Sequence, residues 1–233
     1  MKGGREMTQM NRMIRNYNRL AEMERFISYV RLNPECNRKE AILDIFGFKE
    51  QELETMLFFG MFNFNNHIDS LEEQLNKIKL LNYDNYIYDE LNHLHKQYPS
   101  NKPIQYELFI LDENDDFAKI KLNGVSAYTD WDGKVCFVVL PDENVRSTLK
   151  SVVTHEYHHH WRISGMAFRE NEETVLDRLV LEGLAEHFVR IRLGEEYIGP
   201  YKDALSETQA KSLWESIYTV SYTHLTLPTK SLV

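Results

Sequence analysis

The sequence predicts an α+β protein: a helical N-terminal half, then a small and mainly antiparallel sheet, then two long helices. Three observations carry this reading. Between Arg19 and Tyr98 the apolar residues recur at helical spacing, as in Leu20, Met23, Phe26, Ile27 and Val30. From Ile104 that spacing gives way to short β-prone runs separated by turn residues. Beyond Asp142 helical spacing returns, first through His155 to about Ile163 and then from Thr174 to Leu193, where Gly194 supplies a stop.

Within the N-terminal half, Asn33-Pro34 breaks the first helix, Arg38 to Phe46 reads as a short helix closed by Gly47, and Glu50 to Phe62 reads as another. Asp69 to Tyr98 has room for one or two more. The aromatic run Phe58, Phe59, Phe62 and Phe64 fits core packing better than a ligand box. The β-prone runs are Tyr106 to Leu111, Ala118 to Leu122, Val125 to Tyr128 and Val135 to Leu140. Asp132-Gly133 between the last two signals a hairpin, because glycine adopts the positive φ of a tight turn without steric cost. Asp142 to Asn144 offers a cap for the helix that follows. Asp112, Asn114 and Asp116 match the start of a calcium loop, but Phe117 stands where glycine is needed and Asn123 where a bidentate Glu should be. A solvated loop is the better reading.

Composition narrows the function. A chain of 233 residues with 42% hydrophobic residues has the apolar surface for a folded unit, read as a helical lobe over 1–100 and a core over 101–219. Its net charge of −9 opposes attraction to phosphates, and no basic stripe is present, so nucleic acid is excluded as the expected partner. No stretch approaches a membrane span, and the N-terminus has no apolar signal region, so a cytoplasmic location is expected. Cys36 and Cys136 sit far apart in unlike surroundings and suggest neither a disulfide framework nor a thiolate metal site. Residues 220–233 resemble the in-frame translation of a transposase adapter used in library preparation. They are expected to be an artefact, with the natural C-terminus missing.

The chemistry concentrates in His155-Glu156-Tyr157-His158-His159. Residues four apart project from one helical face, so His155 and His159 can aim imidazole nitrogens at one ion. Zinc favours such ligands and keeps one position open for water in a catalytic site; Glu156, next to the first ligand, can act as general base toward that water. The bare pattern recurs by chance, so a third ligand matters. Glu182-Gly183-Leu184-Ala185-Glu186 places two carboxylates four apart on the second helix. Glu182 is the chosen ligand because Gly183 would let the helices approach, with Glu186 as the outer acceptor that orients His155. The reversed assignment, Glu186 on the metal, meets the same spacing. His158 and His160 are read as bystanders, since neither is four residues from His155, and His187 faces away from both glutamates.

These paired motifs, from about Gly124 through Tyr201, resemble a largely uncharacterised family of predicted zinc-dependent proteases that looks like a branch of the gluzincins. The resemblance implies a zincin-like core with one Zn2+ per chain held by His155, His159 and Glu182, and with Glu156 as the catalytic glutamate. It also implies an edge strand before the active-site helix, here Gly124 to Tyr128, that binds a peptide or protein substrate as an added strand. Tyr201 is the candidate for stabilising the oxyanion, and a further C-terminal helical segment is implied that this chain lacks. The leading function is zinc-dependent peptide hydrolysis. The alternatives are a non-catalytic zinc-stabilised binding or chaperone-like module on the same fold, and a helical interaction domain with a coincidental motif. Oligomeric state is not legible in the sequence.

Overall fold

The computed structural model describes residues 13–166, 173–199 and 201–218. The run at 220–233 therefore lies outside the described residues. The fold is α+β. In chain order the elements are β1 (Ile14–Tyr17), α1 (Arg19–Leu32), α2 (Arg38–Phe46), α3 (Glu50–Phe58), α4 (Ile68–Leu81), α5 (Tyr83–Gln97), β2 (Ile104–Ile110), α6 (Asp116–Lys121), β3 (Val125–Thr129), β4 (Lys134–Val139), α7 (Arg146–Gly165), α8 (Val175–Leu193) and α9 (Glu207–Tyr218). Among the described residues, no helix is long and apolar enough to cross a membrane.

Local chemistry explains most boundaries. Asn18 and Asn37 accept backbone N–H groups at the starts of α1 and α2, and Gly47 ends α2 in the left-handed region. Asn82, also left-handed, splits the long segment Asp69 to Tyr98 into α4 and α5. The helix expected to reach Phe62 stops at Phe58 instead. Gly60 turns the chain at φ +84°, and Phe62 N–H bonds the Ile110 carbonyl at 2.8 Å, so Met61 and Phe62 extend beside β2.

Two sheet expectations need correction. The run Ala118 to Leu122 is helical, within and just after α6, because Asp115 caps it by accepting the Ala118 N–H at 2.9 Å. The sheet has the order β1-β2-β4-β3, with β1 parallel to β2, β2 parallel to β4, and only β3–β4 antiparallel. It is thus mixed rather than mainly antiparallel. The hairpin at Asp132-Gly133 is the antiparallel part, closed by a loop at 130–133 in which Gly133 has φ +85°. The parallel pairs arise because β1 arrives from the far N-terminus and β4 inserts between β2 and β3, neither of which is a local sequence signal. Helices cover both faces, so β2 and β4 are almost wholly buried, as central parallel strands are.

One continuous cluster of buried side chains runs from Ile14 through the N-terminal helices and the sheet to Tyr157 on α7. Arg19 joins the two halves through Glu107 on β2, bonding one carboxylate oxygen at 2.7 and 3.0 Å beneath the Phe48 and Phe109 rings. Cys136 is buried in β4, while Cys36 is partly exposed.

Gly124 opens β3 at φ +77°, and a Cβ there would stand 2.7 Å from Val145 Cγ1. Gly124→Ala is expected to destabilise the fold by about 1–3 kcal/mol, measured as a lower urea midpoint at unchanged slope.

Candidate active site

Helix α7 begins after a single 3-10 turn, Glu143–Val145, capped by Asp142, and it buries far more polar side chains than a core helix normally does. Glu156, His158, His159 and His160 are all buried, with Glu156 only 6% exposed. Helix α8 opens with a reciprocal cap between Thr174 and Asp177 and packs on α7 through Leu181, Ala185 and Val189, one apolar stripe at helical spacing. Ala185, fully buried, is the small residue at this contact. Gly183 is exposed and an added Cβ there would touch nothing within 4 Å, so the close approach assigned to it belongs to Ala185 instead.

That packing brings His155, His159 and Glu182 together. His155 Nε2 lies 2.9 Å from His159 Nε2 and 3.2 Å from Glu182 Oε2, and His159 Nε2 lies 3.4 Å from the same oxygen. One ligand atom from each of the three falls within 4.8 Å of the others. Tetrahedral ligands ~2.0–2.1 Å from a zinc ion stand ~3.3 Å apart, so the spacing fits that ion closely. The chemistry of the donor set agrees: two imidazole nitrogens and a carboxylate facing one another need a positive charge among them.

The electrostatics point the same way. Burial disfavours the charged His155 imidazole, yet the Glu182 and Glu186 carboxylates outweigh it and push His155 up to about 10. Burial likewise opposes the Glu182 carboxylate, and His155 and His159 more than offset it, holding Glu182 below the usual range. Glu186 is also lowered, first by His155 and further by the Gly199 N–H.

Glu186 Oε1 meets His155 Nδ1 at 2.9 Å, and its Oε2 accepts the Gly199 N–H at 2.9 Å. Ser151 of α7 donates to the Tyr197 carbonyl in the same segment. The loop carrying Tyr201 is thereby docked on the helix pair. Glu156 Oε2 accepts the Thr129 hydroxyl at 2.6 Å, which ties the end of β3 to α7. Arg178 grips buried Glu173 at 2.9 and 3.0 Å and reaches Glu182 Oε1 at 3.8 Å.

All of these groups except Glu173 line a cavity of about 820 Å³ that also takes in Tyr128 and Tyr201 and runs along β3. β3 is an edge strand. Gly124 and Asp130 are both bonded to β4, so ladder alternation turns Ser126 and Tyr128 toward β4 and leaves Ala127 and Thr129 with their N–H and C=O groups on the open edge. Gly124 itself does not line the cavity. Its N–H bonds the Ala118 carbonyl and its carbonyl accepts from Leu140, while Val125 to Thr129 line the cavity.

The other histidines have other work. His160 spans Gly133 O at 2.6 Å and Ser100 Oγ at 3.0 Å, fastening the hairpin to α7. His158 lies against Trp161 and Phe188, and burial, with the nearby charge of His159, drives it down to about 3. His187 is exposed beside Arg190. Phe58, expected from the sequence in the core, is exposed and lines the cavity, because the chain turns away at Gly60 just beyond it; Thr129 and Arg178 carry no sequence signal of their place here. No motif links them to α7, and only the fold brings them there.

Two outcomes follow from this geometry. Glu186→Ala is expected to weaken zinc binding about 10–100-fold, read by competition with a chelating dye. In metal-free protein the folded chain holds the His155 proton more tightly than the unfolded chain, whose imidazole has the ordinary value of 6.5. That stabilisation is full below 6.5 and is lost as pH rises through about 10. Thermal unfolding in chelator should therefore fall from pH 7 to 10, with a flatter slope in the Glu182→Gln/Glu186→Gln double variant.

Residues 68–225, more than half of the chain, match the family described as predicted Zn-dependent protease (DUF2268). Two relatives come from Bacillus subtilis (strain 168). The uncharacterized protein YjfC is 34% identical over 103 residues, 43% of this chain and 32% of that protein. The uncharacterized protein YjaZ is 30% identical over 79 residues, 34% of this chain and 30% of that protein. The matched segments thus span about a third of the length of these curated relatives. No solved structure matches the chain significantly. The chain belongs to the DUF2268 family of predicted Zn-dependent proteases.

Proposed function

We propose that this protein is a zinc-dependent peptidase of gluzincin type, with one zinc ion per chain held by His155, His159 and Glu182. The observation that carries the reading is the convergence of those three side chains in one cavity with buried Glu156 and an open strand edge. Zinc bound there supplies a Lewis acid that polarises the scissile carbonyl and acidifies water.

The chain's own residues do the rest. Ala127 and Thr129 hold the peptide main chain through their outward N–H and C=O groups, fixing the scissile bond beside α7. Thr129 occupies Oε2 of Glu156, so Oε1 is the atom that takes the proton from the attacking water and passes it to the leaving amine. Glu186 orients His155 and, through Gly199, the loop whose Tyr201 hydroxyl donates to the developing oxyanion. Tyr128 lines the substrate side of the edge.

The test is zinc content and peptide hydrolysis in wild type, His155→Ala and Glu156→Gln. We expect about one zinc per chain in wild type, its loss in His155→Ala, and its retention in Glu156→Gln with hydrolysis reduced at least about 10²–10⁴-fold. Zinc without turnover in wild type would favour a non-catalytic, zinc-stabilised binding module, and no zinc at all would sink both readings.

A further inference from the structure

The cavity has a second wall that the proposed chemistry does not use. Phe59 stacks on Tyr128 with centroids 4.3 Å apart, and Phe58 meets Phe59 edge-on at 5.6 Å. Phe117 and Leu122 of the α6 region line the same space. Phe58 is 61% exposed and Phe117 60% exposed, so two large aromatic side chains stay in water beside the open edge of β3. Such exposure gains nothing for the fold, whereas an apolar surface opening on a reactive cavity is the usual form of a binding pocket.

The wall is preorganised. The Tyr128 hydroxyl donates to Met56 Sδ at 3.6 Å, anchoring the stack to α3. Its position relative to the candidate metal site follows from strand geometry. Successive side chains on a strand point to opposite faces, so Thr129, bonded to Glu156, lies on the α7 face and Tyr128 on the other. A peptide added to this edge alternates in the same way. One residue directs its side chain toward α7, and its immediate neighbours direct theirs toward Phe58, Phe59 and Tyr128. The α7 side carries Glu156, Glu182 and Glu186, so the chemical contrast between the faces is large.

We propose that the Phe58–Phe59–Tyr128 wall selects extended peptides with a bulky apolar side chain, aromatic above all, at a fixed position adjacent to the scissile bond. This rests on the peptidase reading of the same cavity and adds a substrate class to it.

The test compares kcat/KM for a peptide series varied at each position around the cleaved bond, in wild type and in Phe58→Lys, with zinc content measured in both. Phe58 is chosen because its exposure lets the fold tolerate the change. Wild type is expected to prefer Phe or Leu over Ala about ten- to hundredfold at one position. Phe58→Lys should keep its zinc, lose at least tenfold of that ratio and gain preference for Glu at the same position. Cleavage with no apolar preference, or a preference unchanged in Phe58→Lys, overturns the wall while leaving the peptidase reading standing. Zinc without hydrolysis in wild type overturns the peptidase reading instead. The ratio of Kd values for the same peptides on Glu156→Gln, with and without Phe58→Lys, then still decides whether the wall selects apolar side chains.

Discussion

The structure depends on how two helices meet at one face. Leu181, Ala185 and Val189 press α8 onto α7, and the next residue along the first two positions of that stripe is a glutamate. Glu182 and Glu186 are therefore delivered to His155 and His159 by ordinary apolar packing, and the loop after α8 then holds Glu186 through the Gly199 N–H. Carboxylates half removed from water repel each other unless a positive charge lies between them, and the lowered Glu182 and raised His155 both register that demand. A cation at this point would stabilise the helix pair as well as any chemistry.

The sheet supplies the other half. Because β4 inserts between β2 and β3, the strand nearest α7 in sequence is central and buried, and the strand left at the edge is β3. Thr129 fastens that edge to Glu156 while its neighbour Tyr128 faces α3. The N-terminal helices thus do more than cover the sheet: they provide the aromatic wall on the far side of the same cavity. The opposite edge of the described sheet, β1, leans on α5 through the hydrogen bond from Asn16 Nδ2 to Asp84 Oδ1.

Much of this was legible in the sequence, and the limits are physical. Helical periodicity, the stops at Gly47 and Gly194, the cap at Asp142, and the four-residue spacing of His155 and His159 are local properties, and local properties can be read from one chain. A hairpin announces itself through Asp132-Gly133, whereas parallel pairing between residues 14–17, 104–110 and 134–139 has no neighbouring signal, so the sequence shows only the antiparallel part of the sheet. Periodicity does not say which small residue faces the partner helix, and it is Ala185 rather than Gly183 that makes the close contact. Phe58 and Phe62 looked alike in one aromatic run, yet one borders the cavity and the other is core, separated by the left-handed turn at Gly60. Thr129 is a plain strand residue until the fold sets its hydroxyl on Glu156.

Three carboxylates at the site follow one rule. Glu186 gives Oε1 to His155 and Oε2 to the Gly199 N–H; Glu182 turns Oε2 to the histidines and Oε1 toward Arg178; Glu156 accepts Thr129 at Oε2. Glu186 and Glu156 each have one oxygen hydrogen-bonded to the scaffold, and Glu182 has the longer ion pair to Arg178 in the same place. A carboxylate anchored at one oxygen loses rotational freedom before anything binds, so less entropy is lost when the second oxygen engages an ion, a ring nitrogen or a proton. The anchors come from three different places: the edge strand, the loop after α8 and the first turn of α8. Preorganisation here is therefore a property of the assembled fold. The two histidines, by contrast, come from one short motif, which is why that part of the site could be read without the fold.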